Sequence, residues 1–122
     1  DRRVAEALDR VRAAARSMAE AAERDDFEAM GRALAAEWDA RRRLAPVVSS
    51  PPIERAIETA AAAGAWGGKA CGAGGGGCVI FLSAPDRSAA VREALGRLPE
   101  GKILSVAVEN EGLRVGRSAD AP

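Results

Sequence analysis

Residues 64–82 read GAWGGKACGAGGGGCVIFL, with eight glycines, one lysine and two cysteines set before an apolar run. Gly74 to Gly77 are consecutive. Residues without a Cβ reach φ > 0 at no steric cost. Such a segment can turn successive N–H groups toward one anion, or let another backbone approach closely. Ordering it is entropically expensive, and a plain connector would use fewer glycines. Composition alone balances a functional loop against a close-packed turn.

Two familiar phosphate-loop patterns fail on context. A Walker A loop needs a glycine five residues before its Gly-Lys and a Ser or Thr after it. Here Ala70 follows Lys69, and Ala63 stands where the first glycine belongs. Gly72, Gly74 and Gly77 satisfy G-x-G-x-x-G. That fingerprint follows a strand and opens a helix, whereas this one follows a helical pattern and opens a strand.

Working outward toward the N-terminus, Ile53, Ile57, Ala60 and Ala61 give the buried stripe of a helix that Gly64 would end. Ser49-Ser50-Pro51-Pro52 marks its start, a serine cap followed by proline at the first helical position. Before it, Phe27, Met30, Leu34 and Trp38 share one face of a helix ending near Leu44, ahead of Pro46. Asp25 with Glu28 forms its capping-box pattern. From Arg2 to Arg24, Val4, Leu8, Val11, Ala15, Met18 and Ala22 alternate spacings of four and three, which predicts an amphipathic helix. These two helices are expected to form an antiparallel hairpin.

Toward the C-terminus, 78–82 reads as a strand buried on both faces, with an extra strand possible around 66–70. Val91, Leu95 and Leu98 mark a fourth helix, with Ser83 and Asp86 flanking Pro85 ahead of it and Pro99 and Gly101 after it. Residues 102–108 are strand-like, and Asn110-Glu111-Gly112 suggests a hairpin turn into 113–115. The order predicts an α+β fold, an antiparallel sheet with helices on one face plus an N-terminal helical hairpin. One domain is expected over 1–115, comprising the hairpin (1–45) and the glycine-rich motif with its sheet (50–115), followed by a flexible tail (116–122).

Bulk composition narrows the function classes. The 122 residues suit a single core, and zero formal charge gives no general attraction to nucleic acid or an anionic membrane. Histidine is absent, which removes the commonest general base, the Ser-His and Cys-His nucleophile pairs and most zinc sites; no metal site is expected. Cys71 and Cys78 are too few for a disulfide scaffold and read as small buried side chains rather than ligands or nucleophiles. Neither a membrane-length apolar stretch nor a signal peptide is visible, so a cytoplasmic setting is expected. The chain begins at Asp1 without methionine, which suits a processed or excised piece. Lys69 suits a phosphate neighbour as a mobile point charge, or a solvated position on an edge strand. Arg41, Arg42 and Arg43 could meet a sugar phosphate, but helix-end arginines are more often dipole-favourable surface charges. Trp38 and Trp66 could wall a substrate, with core packing favoured for Trp38.

The stretch GGKACGAGGGGCVIFL resembles the third signature motif of the GHMP kinases, the superfamily of galactokinase, homoserine kinase, mevalonate kinase and phosphomevalonate kinase. PDRSAAVREAL and ENEGLRV after it, and LAAEWDARRRL and SSPPIERAIETAAAAGA before it, are similar to the bacterial sugar kinases of D-glycero-D-manno-heptose 7-phosphate. The resemblance implies the family's C-terminal domain, a ferredoxin-like α/β sandwich closing one side of the active cleft. It implies an N-terminal domain as partner, carrying the ATP loop (Pro-x-x-x-Gly-Leu-Ser-Ser-Ser), the catalytic aspartate and the adenine site; no such motif stands in this chain. By the same resemblance Gly68, Lys69, Gly72, Ala73, Gly74, Gly75, Gly76 and Gly77 would line the substrate and phosphate region, with no catalytic residue of this chain's own. ATP and Mg2+ would serve the full-length enzyme, and the isolated chain would be inactive toward its sugar or sugar-phosphate substrate. A stand-alone ferredoxin-like binding module, and a GHMP kinase for mevalonate- or homoserine-type substrates, are the competing readings.

Overall fold

The computed structural model describes residues 1–72 and 74–117. It begins with α1 (Arg2–Glu23) and α2 (Phe27–Arg41), which pack as the expected antiparallel hairpin. Asp1 caps α1, its carboxylate accepting from the Arg3 N–H at 2.8 Å. The cap of α2 is Asp26 rather than Asp25, accepting from the Ala29 N–H at 3.0 Å. Asp25 takes a left-handed conformation (φ 55°) to reverse the chain, which leaves the next carboxylate facing the open amides of α2.

The buried positions of α1 are Ala7, Ala14 and Ala21, seven residues apart; α1 packs on α2, whose own buried alanines are Ala33 and Ala40. Small residues at such a seam let two helices pack closely. The wider stripe read from the sequence is therefore rotated off the contact: Val4, Val11 and Met18 flank it half-buried, while Leu8, Ala15 and Ala22 are exposed.

After a 3-10 turn at Pro46–Val48 comes α3 (Pro51–Ala62). Pro51 and Pro52 carry no N–H, so two of the four open donors at its start do not exist, and Ser50 makes no side-chain cap bond. Gly64 (φ 106°) then turns the chain into β1 (Ala65–Ala70), the strand suggested around 66–70. It runs antiparallel to β2 (Val79–Ser83), with Gly68 opposite Phe81, Lys69 opposite Ile80 and Ala70 opposite Val79. A 3-10 turn at Pro85–Arg87 leads into α4 (Ser88–Gly96), which buries Val91.

The core lies where α2, α3 and the sheet meet: Trp38, Val48, Ile53 and Ala70, with Ala45, Ile57 and Val79 packed against them. Gly67 makes this possible, because a Cβ there would overlap the Gly31 carbonyl of α2. The strand and the helix thus cross glycine to glycine. The architecture is α+β, with an antiparallel sheet and an N-terminal helical hairpin.

Two expectations are corrected. β2 is not buried on both faces: Ile80 is exposed, because helices cover only one side of a two-stranded sheet. Residues 102–108 and 113–115 form no strand. Their apolar alternation has no ladder to join, and Val106, Val108, Leu113 and Val115 are 83–90% exposed. The chain nevertheless bends between them at Asn110 and Glu111, with Gly112 at φ 70° and Arg114 bonded to Glu109 at 2.9 Å. Of the expected tail, Gly116 and Arg117 are exposed, and 118–122 lie outside the described residues. Among the described residues no helix is long and apolar enough to cross a membrane.

Candidate functional site: the glycine loop and its base

The loop of residues 72–77 springs from the ends of β1 and β2. The Cys71 N–H donates to the Cys78 carbonyl at 2.8 Å, extending the ladder one step beyond Ala70–Val79 and closing the base of the loop. Gly72, Gly74, Gly75 and Gly77 all have φ between 74° and 87°, so the path requires glycine there. One wall of the loop is tied down: the Gly75 N–H donates to the Val48 carbonyl at 2.7 Å, and a Cβ on Gly74 would strike the same carbonyl. The other side is open among the described residues, where a Cβ at Gly72, Gly76 or Gly77 would meet nothing within 4 Å. A polyglycine backbone pinned on one side and free on the other can offer N–H groups to an anion.

The candidate site residues divide by location. Gly72, Gly74, Gly75, Gly76 and Gly77 form the loop, while Ala73 lies outside the described residues. Gly68 sits apart, buried in β1, where a Cβ would overlap the Phe81 ring; its small size serves packing there. Lys69 leads toward the loop, but its ammonium lies 3.2 Å from Oε2 of Glu37 on α2. That approach is off the direction of a hydrogen bond, so the pairing is an attraction of charges. Oε1 of the same carboxylate accepts from Arg41 Nε at 2.6 Å. Glu37 is buried, and Lys69 and Arg41 are mostly covered, so the base of the loop holds one carboxylate between two cations.

Arg42 and Arg43 are also engaged. Arg42 bonds Asp39 at 2.7 Å and Glu54 at 3.1 Å, and Arg43 bonds Asp39 at 3.0 Å. The Arg42 hydrogen bond holds the Asp39 carboxyl below its usual value; partial burial opposes this, and the Arg43 charge adds to it. Arg42 is raised in return, chiefly by the bond from Asp39. This cluster ties the end of α2 to α3, where Ser49 also bonds Glu54.

A cleft of about 170 Å³ opens between α2, α3 and β1, lined by Trp38, Ile57, Trp66 and Phe81, with Asp39 and Arg42 at its polar side. Both tryptophans meet there. Trp38 is nevertheless a core residue, 2% exposed, and its buried indole N–H finds no acceptor among the described residues. The cysteines depart from expectation: both are exposed, because they stand beyond the last packed pair of the ladder. Sequence reasoning also missed Glu37. A lone glutamate within an apolar helical face, four residues before an arginine, was the available signal.

The motif and the fold around it agree with a direct comparison, in which residues 18–100 match the family GHMP kinases C terminal. The chain belongs to this family. As a GHMP kinase C-terminal domain it is also similar to the D-glycero-alpha-D-manno-heptose 7-phosphate kinase of Campylobacter jejuni subsp. jejuni serotype O:2. The two are 30% identical over 114 residues, 93% of this chain and 33% of that kinase. The chain therefore spans about a third of the length of the curated relative it matches.

Proposed function

We propose that this domain is the C-terminal part of an ATP-dependent kinase of sugars or sugar phosphates, in which loop 72–77 backs the phosphate region of a cleft completed by a preceding domain. The observation that carries the reading is the loop, pinned to the Val47–Val48 turn on one side and open on the other, within a chain similar along nearly all its length to a heptose 7-phosphate kinase. The exposed apolar side chains of Val106, Val108, Leu113 and Val115 support it, as surface left for the remaining polypeptide.

Gly72 and Gly74 to Gly77, together with Gly68, Lys69 and Ala73, would position substrate and phosphate rather than react with them. Lys69 would meet a phosphate only by exchanging its Glu37 partner for the ligand. Among the described residues no three acidic or cysteine side chains gather, so they offer no all-protein cage for a cation. Metal and nucleotide would be held by the preceding domain, in a cytoplasmic enzyme, and residues 1–122 alone would be inactive. Incubation with ATP, magnesium and a panel of sugar phosphates tests this: the full-length polypeptide should phosphorylate one of them and residues 1–122 none. Turnover by residues 1–122, or none by the full polypeptide, overturns it.

A further inference from the structure

Cys71 and Cys78 are the only two cysteines of the chain, and both are exposed and unbridged. The strand register sets them face to face. Ala70 pairs with Val79, and the bond from Cys71 N–H to the Cys78 carbonyl makes the cysteines the next cross-strand pair. Residues directly opposite in an antiparallel pair have Cα atoms about 5.5 Å apart when hydrogen-bonded, and Cβ atoms about 4.5–5.5 Å apart. A disulfide accepts Cα separations of about 4.4–6.8 Å and wants its Cβ atoms near 3.8 Å. A hydrogen-bonded pair of that kind has a Cα spacing that suits a bridge, and its Cβ atoms, at the wide end of their range, must close by about 1–2 Å.

The surroundings permit that closure. Gly72 follows one cysteine and Gly77 precedes the other, and among the described residues neither position has a neighbour within 4 Å of where a Cβ would sit. Glycine on the loop side of each cysteine leaves the flanking backbone free to adjust its dihedrals, while Ala70 and Val79 hold the register behind it.

We propose that Cys71 and Cys78 are a dithiol site that closes to a disulfide across the base of the glycine loop, by exchange with a small-molecule disulfide such as oxidised glutathione. One cysteine thiolate attacks a sulfur of glutathione disulfide, forming a mixed disulfide and releasing one glutathione thiolate. The opposing cysteine thiolate attacks the protein sulfur of that mixed disulfide and displaces the second glutathione. The two cysteine protons leave to solvent or to the glutathione thiolates. Two electrons pass from the protein thiols, and one glutathione disulfide becomes two thiols. The product locks residues 71–78 into a ring, narrowing the freedom of the segment that holds five glycines. This step does not depend on the kinase reading.

The test is equilibration of residues 1–122, at low micromolar concentration, in buffers of reduced and oxidised glutathione, followed by acid quench, alkylation of free thiols and mass analysis. The expected product is a monomer lighter by two hydrogens, in at least roughly tenfold excess over singly glutathionylated protein and reversed by dithiothreitol. Cys71→Ser and Cys78→Ser variants should stop at one mixed disulfide. In denaturing urea the excess should fall severalfold, because the native register no longer holds the thiols together. Doubly glutathionylated protein as the main product overturns the proposal, as do disulfide dimers whose yield rises with protein concentration. A ring yield unchanged by urea overturns it too, as do wild-type thiols that stay free where the single-cysteine variants react.

Discussion

Residues 65–83 and 103–115 are built to one plan: apolar segments on either side of a glycine-bearing turn. The first is the centre of the molecule, with its strands paired and Ala70 in the core; the second stands in solvent, unpaired. What separates them is not apolar content. β1 carries glycines that let it lie directly on α2 while it pairs with β2, so burial and hydrogen bonding are satisfied together. Residues 103–108 pair with no strand among the described residues and their side chains stay exposed, so their alternation buries nothing.

The sharpest way to break this contrast is Gly67→Ala. The new methyl would fall on the Gly31 carbonyl, and backbone cannot swing aside as a side chain does. A loss of about 3 kcal/mol or more is expected, read as a lower urea midpoint; an unchanged midpoint would mean that β1 does not lie on α2 as described. Next comes Glu37→Ala, which leaves Lys69 and Arg41 beside each other without their shared carboxylate. Because both cations retain a partial path to water, the expected cost is about 1–3 kcal/mol. A neutral result would show the carboxylate to be dispensable to the base of the loop.

A smaller effect concerns pH. Asp39 has a folded pKa below its unfolded one, so its contribution is fully present above the unfolded value near 3.8 and is lost as pH falls through the lower folded value. Its side chain is 44% exposed, so screening limits the effect to roughly 0.2–1 kcal/mol. Comparing Asp39→Asn with the wild type at pH 7 and again near pH 2 checks the sign: the gap in urea midpoint should narrow in acid. Smallest of all, Val106→Asp combined with Val108→Asp should move the stability of residues 1–122 by less than about 0.5 kcal/mol, since neither side chain is buried. A large loss there would mean that this segment packs in solution after all.

Much of this was legible beforehand. The four helices, the Gly64 stop, the paired strands about the loop and the family all follow from period, punctuation and one motif. Local signals of that kind depend on neighbours within a few residues. The misses were matters of distance and direction. Cys71 and Cys78 look like small core residues by type, yet they stand just past the packed end of the ladder. Asp25 reads as a cap by spacing, but its left-handed turn passes that role to Asp26. Lys69 reads as a free charge because its partner, Glu37, is thirty-two positions away.

By itself the sequence determined the four helices, the two strands about the glycine loop and their order, since backbone freedom and hydrophobic period are properties of short segments. Only the tertiary structure decided which alanine seam joins α1 to α2, and that Lys69 arrives at the loop already neutralised. It alone decided that one apolar hairpin would be core and the other surface. Burial and ion pairing depend on what lies opposite in space, and that is set when distant segments meet.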